Sequence, residues 1–289
     1  AFTLGTYIGA FSQFEDADQV IVDFLICPQQ VLAADATALV NHVTGIAVDR
    51  KDCIAVASPN RAAIVGNVSN QVTDTVSFAD TLTPTSYLVV DNNFIKVFDK
   101  YNDNYIFIPA ASSTGGVMAA TDKVSAPWFS PAGFNRGVYK GVVKTMVEQT
   151  KSDRDALYKE AINPVVNFAG QGTVLFGDKT FTMKPSAFDR INVRRLFIVL
   201  EKSIATAAKF TLFEFNDEFT RAQFTSLIEP FLRDIKGRRG IYDFKVVCDS
   251  TNNTANVIDT NQFVGDIFIQ PARSINFIQL NFVAVRTGV

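Results

Sequence analysis

Phe263-Val-Gly-Asp-Ile-Phe-Ile-Gln270, Pro271-Ala-Arg-Ser274 and Ile275-Asn-Phe-Ile-Gln-Leu-Asn-Phe-Val-Ala-Val285 form the stretch from which the rest of the chain is best read. Two β-rich runs flank a turn-forming tetrapeptide, the pattern of a long hairpin or of two paired strands. In the second run Ile278, Leu280, Phe282 and Ala284 share one face, and Gln279 and Asn281 make the other only partly wet. A strand at the end of a segment keeps backbone donors and acceptors to offer. It can pair with its own sheet or with that of another chain.

Outward from that stretch, 289 residues with 47% hydrophobic and 19% charged side chains suffice for one large domain or two ordinary ones. A net charge of −2 and a pI near 5.5 leave no overall electrostatic footprint for nucleic acid or an anionic membrane. Twenty-six Phe against a single Trp predict extensive packing, within the subunit or between subunits. Cys27, Cys53 and Cys248 lie far apart and read as small buried thiols of a reducing, intracellular protein. No apolar run approaches the ~18 residues of a membrane span. The start at Ala1 without Met reads as part of something longer.

The first 125 residues read as α/β. A short helix over 4–14 precedes an apolar strand over 19–27, a helix over 33–48 and a second buried strand over 52–58, an order that predicts a covered parallel sheet. A short helix over 61–66 is expected next, then a loop excursion over 67–86, a hairpin from 94–98 and 105–108, and a weak helix over 112–121. The irregular segment Ser125 to Gly137 is taken as the domain boundary, dividing the chain into 1–125 and 126–289. Beyond it the order predicts α+β, with helices against a mostly antiparallel sheet. These are a helix over 152–162 capped by Ser152 with Asp155, a helix over 189–208, an extended Thr211–Phe215, a helix over 217–236 broken or kinked at Pro230, and a strand over 241–248.

Chemistry-bearing motifs are sparse. Gly172 to Thr180 nearly spells a phosphate-binding loop, but Asp178 stands between Gly177 and Lys179, where its carboxylate would oppose phosphate. A turn at Gly177-Asp178 is the expectation. His42 is the only histidine, so a serine triad or a His-bearing zinc site would have to use it, and no partner lies at ligand spacing. No catalytic, cofactor or metal residue is assigned. Two basic groups remain: Arg190, Arg194 and Arg195 on one helix, and Arg233, Lys236, Arg238 and Arg239 at the end of the next. The second group suits a helix C-terminus electrostatically. Together they also read as a positive strip for an acidic partner.

Five motifs carry a family resemblance: Ser130-Pro-Ala-Gly-Phe-Asn-Arg-Gly137, Tyr158 to Pro164, Leu175-Phe-Gly-Asp-Lys-Thr180, Phe188 to Phe197, and Phe268-Ile-Gln-Pro-Ala-Arg-Ser-Ile-Asn276. They resemble the contractile tail sheath proteins of bacteriophages, closest to the T-even-like myoviruses, with the densest match beyond Ser125. The resemblance implies that 1–125 is the closing part of a subtilisin-like α/β domain without protease chemistry, and that 126–289 is the α+β assembly domain. It implies a structural virion protein, not an enzyme, assembled in the host cytoplasm. Its partners would be copies of itself in stacked, hexameric rings, the tail tube, and baseplate and terminator proteins, with no nucleic-acid contact and no membrane insertion. Ile275, Phe277, Ile278, Leu280, Phe282, Val283 and Val285 would belong to a sheet shared between subunits. The basic strip would face the tube. Alternatives are the sheath of a related injection machine, or a hydrolase or nucleotide-using enzyme on the α/β half.

Overall fold

The computed structural model describes residues 2–30, 32–67, 69–276 and 279. Its centre is a parallel sheet of β1 (Phe24–Ile26), β2 (Ile54–Ala57), β3 (Leu88–Asp91) and β7 (Ile162–Asn163), in that order across the sheet. Leu25 lies opposite Ala55, Val56 opposite Val89, and Val90 opposite Ile162. Every residue of Ile54–Ala57 and Leu88–Asp91 is buried, which is why Ile54–Ala57 and Leu88–Val90 are unbroken apolar runs rather than alternating ones. One face is covered by α1 (Leu4–Phe11) and α2 (Ala33–Arg50), with Leu39, Val43 and Ala47 fully buried. The short α3 (Arg61–Ile64) follows β2, and α4 (Gln71–Ala79) completes this layer.

On the second face lie α5 (Ala111–Val124) and the start of α7 (Ile191–Ala208). Met118, Ile191 and Ile198 pack on Ile54, Val56 and Val89. Before α5 come β4 (Phe94–Asp99) and β5 (Asn104–Pro109), the expected hairpin, joined by β6 (Val142–Thr145) into a three-stranded sheet. The helix α6 (Lys151–Lys159) leads to β7 and to the antiparallel pair β8 (Val165–Phe168) and β9 (Gly172–Leu175). A second core gathers where α7 meets α8 (Glu218–Gly237). Phe224, Ile228, Leu232 and Ile235 of α8 face Leu196 and Leu200, and Trp128 closes it. A ribbon of β10 (Ile241–Val247) and β11 (Asp266–Pro271), linked through α9 (Ala255–Asp259), covers that core with Phe244, Val246, Ile267 and Ile269.

The result is a mixed α/β fold with antiparallel sheets, as expected, but several details differ. The stretch 67–86 is no simple loop: α4 forms there because Val72, Val76 and Phe78 reach the first core, and packing overrides a Thr-rich composition. No element is expected at 87–91, where β3 runs. The cap of α6 is Thr150 with Asp153 in a reciprocal box, not Ser152 with Asp155. Pro230 does not break α8, because it sits on the exposed side and the carbonyl it leaves unpartnered can face water. Thr211–Phe215 is a turn rather than a strand. The parallel sheet draws on residues from both sides of 125, since β7 returns to it and α7 packs on it. Finally, β11 pairs with β10, so Phe263–Gln270 has its partner upstream. Of the proposed partner run, Phe277, Ile278, Leu280, Phe282, Val283 and Val285 lie outside the described residues. Ile275 is described and is exposed, outside any strand.

Candidate functional site

Asp178 follows β9 in the turn that mimics a phosphate loop, and it is 2% exposed. Its backbone is fastened first. Asn163 at the end of β7 accepts from the Lys179 N–H through Oδ1 (2.8 Å) and donates through Nδ2 to the Lys179 carbonyl (2.8 Å) and the Val90 carbonyl (3.1 Å). The Ile191 N–H donates to the Asp178 carbonyl (2.7 Å), joining the turn to the first residue of α7. The carboxylate is thus held rigidly between the parallel sheet and the helix shared by both cores.

Four side chains converge on it. Tyr158 Oη (3.2 Å) and Asn276 Nδ2 (2.7 Å) donate to Oδ1; Ser130 Oγ (3.1 Å) and Ser274 Oγ (2.7 Å) donate to Oδ2. A carboxylate offers about four lone-pair sites, so this acceptor is saturated. The donors come from 48 residues upstream and 98 residues downstream, and Ser274 and Asn276 immediately precede the C-terminal apolar run. The strand-to-node link is also fixed: the Ala272 N–H donates to Gly240 O (3.1 Å), and Asn192 Nδ2 donates to Ala272 O (3.3 Å).

Among the described residues, cations lie near the node without forming an ion pair with Asp178. Lys179 Nζ donates to the Tyr158 carbonyl and lies 4.3 Å from its ring centre, and the Arg190 guanidinium lies 6.0 Å from the same ring. Burial, then the neighbouring Asp178 charge, pushes the Tyr158 phenol well above its usual range, so it stays a donor. Burial, then Arg190, holds Lys179 below the usual lysine range. The arrangement is a mechanical tie: it holds a segment, and it has no open position for a reacting group.

A second buried carboxylate, Asp91, lies at the C-terminal end of β3. Ser58 Oγ (2.6 Å) and Thr114 Oγ1 (2.8 Å) donate to it, and Thr114 meets the Tyr139 hydroxyl at 2.7 Å. Ser58 is therefore spoken for, and His42 lies on α2 with its Nε2 3.2 Å from Ser12 Oγ. Among the described residues no group of His, Cys, Asp and Glu is arranged to hold a metal. Burial lifts Asp91 to about 7, against the opposing pull of its Ser58 and Thr114 hydrogen bonds. The folded state then keeps a proton that the unfolded chain releases at ordinary carboxylate pH, so this contribution is lost as pH rises through about 7. Thermal melts should show wild type losing about 1 kcal/mol more stability between pH 6 and 8 than Asp91→Asn. Equal losses would contradict the assignment.

The basic strip divides. Arg194 and Arg195 are each only 6% exposed, because α7 is sandwiched between the parallel sheet and α8. The Arg194 guanidinium lies between Phe188 (3.9 Å) and Tyr87 (4.2 Å), and Arg195 pairs with Asp122 at 2.5 Å. Both are interior packing groups of the described chain. Arg190 is half-buried at the node. Arg233, Lys236, Arg238 and Arg239 are exposed, and the first three face Glu229, Asp243 and Asp234 of their own chain.

The chain matches the family model for the phage tail sheath protein central domain over residues 3–181 and that for the phage tail sheath C-terminal domain over 183–284. It belongs to the phage tail sheath family. The tail sheath protein of Vibrio phage KVP40 is 48% identical over 274 residues, covering 88% of this chain and 41% of that protein. That of Enterobacteria phage T4 is 44% identical over 299 residues, covering 99% and 45%. This sheath-family chain therefore spans less than half the length of these phage relatives. Its fold also matches a chain in the baseplate of the anti-feeding prophage (TM-score 0.79, 19% identity, 98% of this chain and 73% of that one). The contracted sheath of an extracellular contractile injection system, PVC, gives TM-score 0.75 at 20% identity, over 94% and 74%. Ser130, Tyr158 and Asp178 lie in the span of the central-domain model, and Ser274 and Asn276 in that of the C-terminal model. The node ties the two together across their seam at 181–183.

Proposed function

We propose that this chain is part of a contractile tail sheath subunit that polymerises around the tail tube by exchanging strands with its neighbours, and whose contraction drives the tube through the host envelope. The observation that carries the reading is the β10–β11 ribbon: it pairs with no further strand among the described residues. A two-stranded ribbon is marginal alone and offers open edges. Here it is backed by α8 and fastened through Ala272 to the Asp178 node, a rigid template for an added strand.

Each main-chain hydrogen bond contributes only about 1 kcal/mol net. A lattice repeats the bonds in every subunit, so it can change shape without dissociating. The run with Ile275, Phe277, Ile278, Leu280, Phe282, Val283 and Val285 is our candidate for the exchanged strand. In this reading the first half is the closing part of a subtilisin-like α/β domain without its protease chemistry. The protein is structural rather than catalytic, needs no cofactor, and resides in the virion after assembly in the host cytoplasm. Copies of itself in stacked, hexameric rings, the tube, and baseplate and terminator proteins are its partners. Identities of 44–48% to phage sheaths, against 19–20% for the injection-system chains, favour the phage reading over the injection-machine alternative.

Replacing Leu280 by Pro in the full-length protein removes a backbone donor from the exchanged strand. Electron microscopy should then show bare tubes where wild type gives striated sheaths. Normal, fully contracting sheaths would refute strand exchange at this run.

A further inference from the structure

The turn joining α7 to α8 and the first residues of α8 carry five large apolar side chains at the surface: Phe210, Leu212, Phe213 and Phe215 in the turn and Phe219 on the helix. Phe213 is fully exposed and has φ 70°, a left-handed conformation that a β-carbon disfavours. Between residues 210 and 220 the only charges are Glu214, Asp217 and Glu218. An apolar ridge of this kind marks an interaction surface, and its charge restricts what can cover it. The far end of α8 is its complement. Between 233 and 245 five cations stand against two carboxylates. Arg239 and Lys245 are exposed there and form no ion pair among the described residues. Tyr242 and Phe268 supply exposed aromatic surface, with Phe268 directly across from Lys245.

We infer that the acidic aromatic ridge of one copy docks on the basic end of α8 and the outer face of the β10–β11 ribbon in the next copy. The two surfaces lie at opposite ends of a 20-residue helix, about 30 Å apart. Contact between different patches is heterologous, and heterologous contacts propagate into rings or helices rather than closed dimers. The inference deepens the sheath reading and rests on it, and it reassigns the basic end of α8 from the tube to a neighbouring copy.

The test is a charge swap in the full-length protein, with unchanged melting curves as the folding control. Glu214→Lys/Glu218→Lys places like charges in every contact, as does Arg239→Glu/Lys245→Glu. Each variant alone should need at least about tenfold more protein than wild type to polymerise. Mixed in equal amounts they should polymerise again as alternating copies, because each altered patch then meets its opposite. Single variants that polymerise as wild type does, or a mixture that stays blocked, would overturn the inference. So would single variants that self-assemble normally and fail only on tail tubes, which would give the surface to the tube. If wild type itself forms no polymer, the sheath reading fails instead.

Discussion

Replacing Asp178 by alanine should lower the stability of the chain by about 3 kcal/mol, the largest effect expected of any side-chain truncation at the node. The buried carboxylate accepts from four side chains, of which Ser130, Tyr158 and Ser274 are half-buried and Asn276 is exposed; a donor left unsatisfied away from water costs about 1–3 kcal/mol, and water recovers part of that, most readily at Asn276. The melting temperature should fall by roughly 5–10 °C. Asp178→Asn separates charge from hydrogen bonding. If its amide nitrogen takes the Oδ2 position, the Ser130 and Ser274 hydroxyls can turn to accept, while Tyr158 and Asn276 still donate to the remaining oxygen. The Asn variant should therefore lose about 1 kcal/mol only. An Asn variant as unstable as the Ala variant would mean that the negative charge beside Lys179 and Arg190, not the set of hydrogen bonds, holds the node. Release of Ser274 and Asn276 should also make the bond after Arg273 more accessible to trypsin in the Ala variant than in wild type. If cleavage there is unchanged, the node does not anchor the C-terminal segment.

How much of this was legible from residues alone depends on the distance over which each feature is decided. Ile54–Ala57 announces itself as a covered strand because burial on both faces makes an unbroken apolar run. Likewise α8 shows its buried face at the spacing 224, 228, 232 and 235. By contrast, α4 is stabilised by contacts of Val72 and Val76 with a core assembled from elsewhere, so its Thr-rich sequence reads as a loop. Arg194 and Arg195 read as a surface strip because nothing local says that α7 is enclosed on two sides. Asp178 is the clearest case. Its neighbours identify a turn and rule out a phosphate loop, but its role is set by residues up to 98 positions away. A signal was nonetheless present: of the five motifs that carry the family resemblance, four supply Asp178 or a donor to it. The fifth supplies Arg190, which donates to the Tyr158 hydroxyl at 3.4 Å.

Alanine at Gly137 should be nearly as damaging as loss of Asp178, for a reason that involves no side chain. The Gly137 N–H donates to Gly133 O (2.7 Å), the Gly133 N–H to Leu175 O (2.9 Å), and the Leu175 N–H to Gly137 O (2.8 Å), a closed ring of main-chain bonds. A β-carbon at 137 would lie 2.8 Å from Gly133 N, 2.9 Å from Gly133 O and 2.9 Å from Leu175 O. No flexible side chain is there to yield, so the loop must separate from β9, at a cost of about 2–3 kcal/mol. Because Ser130 enters the same loop, its bond to Asp178 should lengthen as well, and Gly137→Ala combined with Ser130→Ala should cost less than the sum of the two single changes. Gly116→Ala on α5 is the control: a β-carbon there meets nothing within 4 Å, and the exchange should stabilise the helix by about 0.5–1 kcal/mol. Chemical denaturation of the four variants decides the matter. Equal midpoints for Gly137→Ala and wild type would show that the ring opens freely, and that the 130–137 loop does not brace the node.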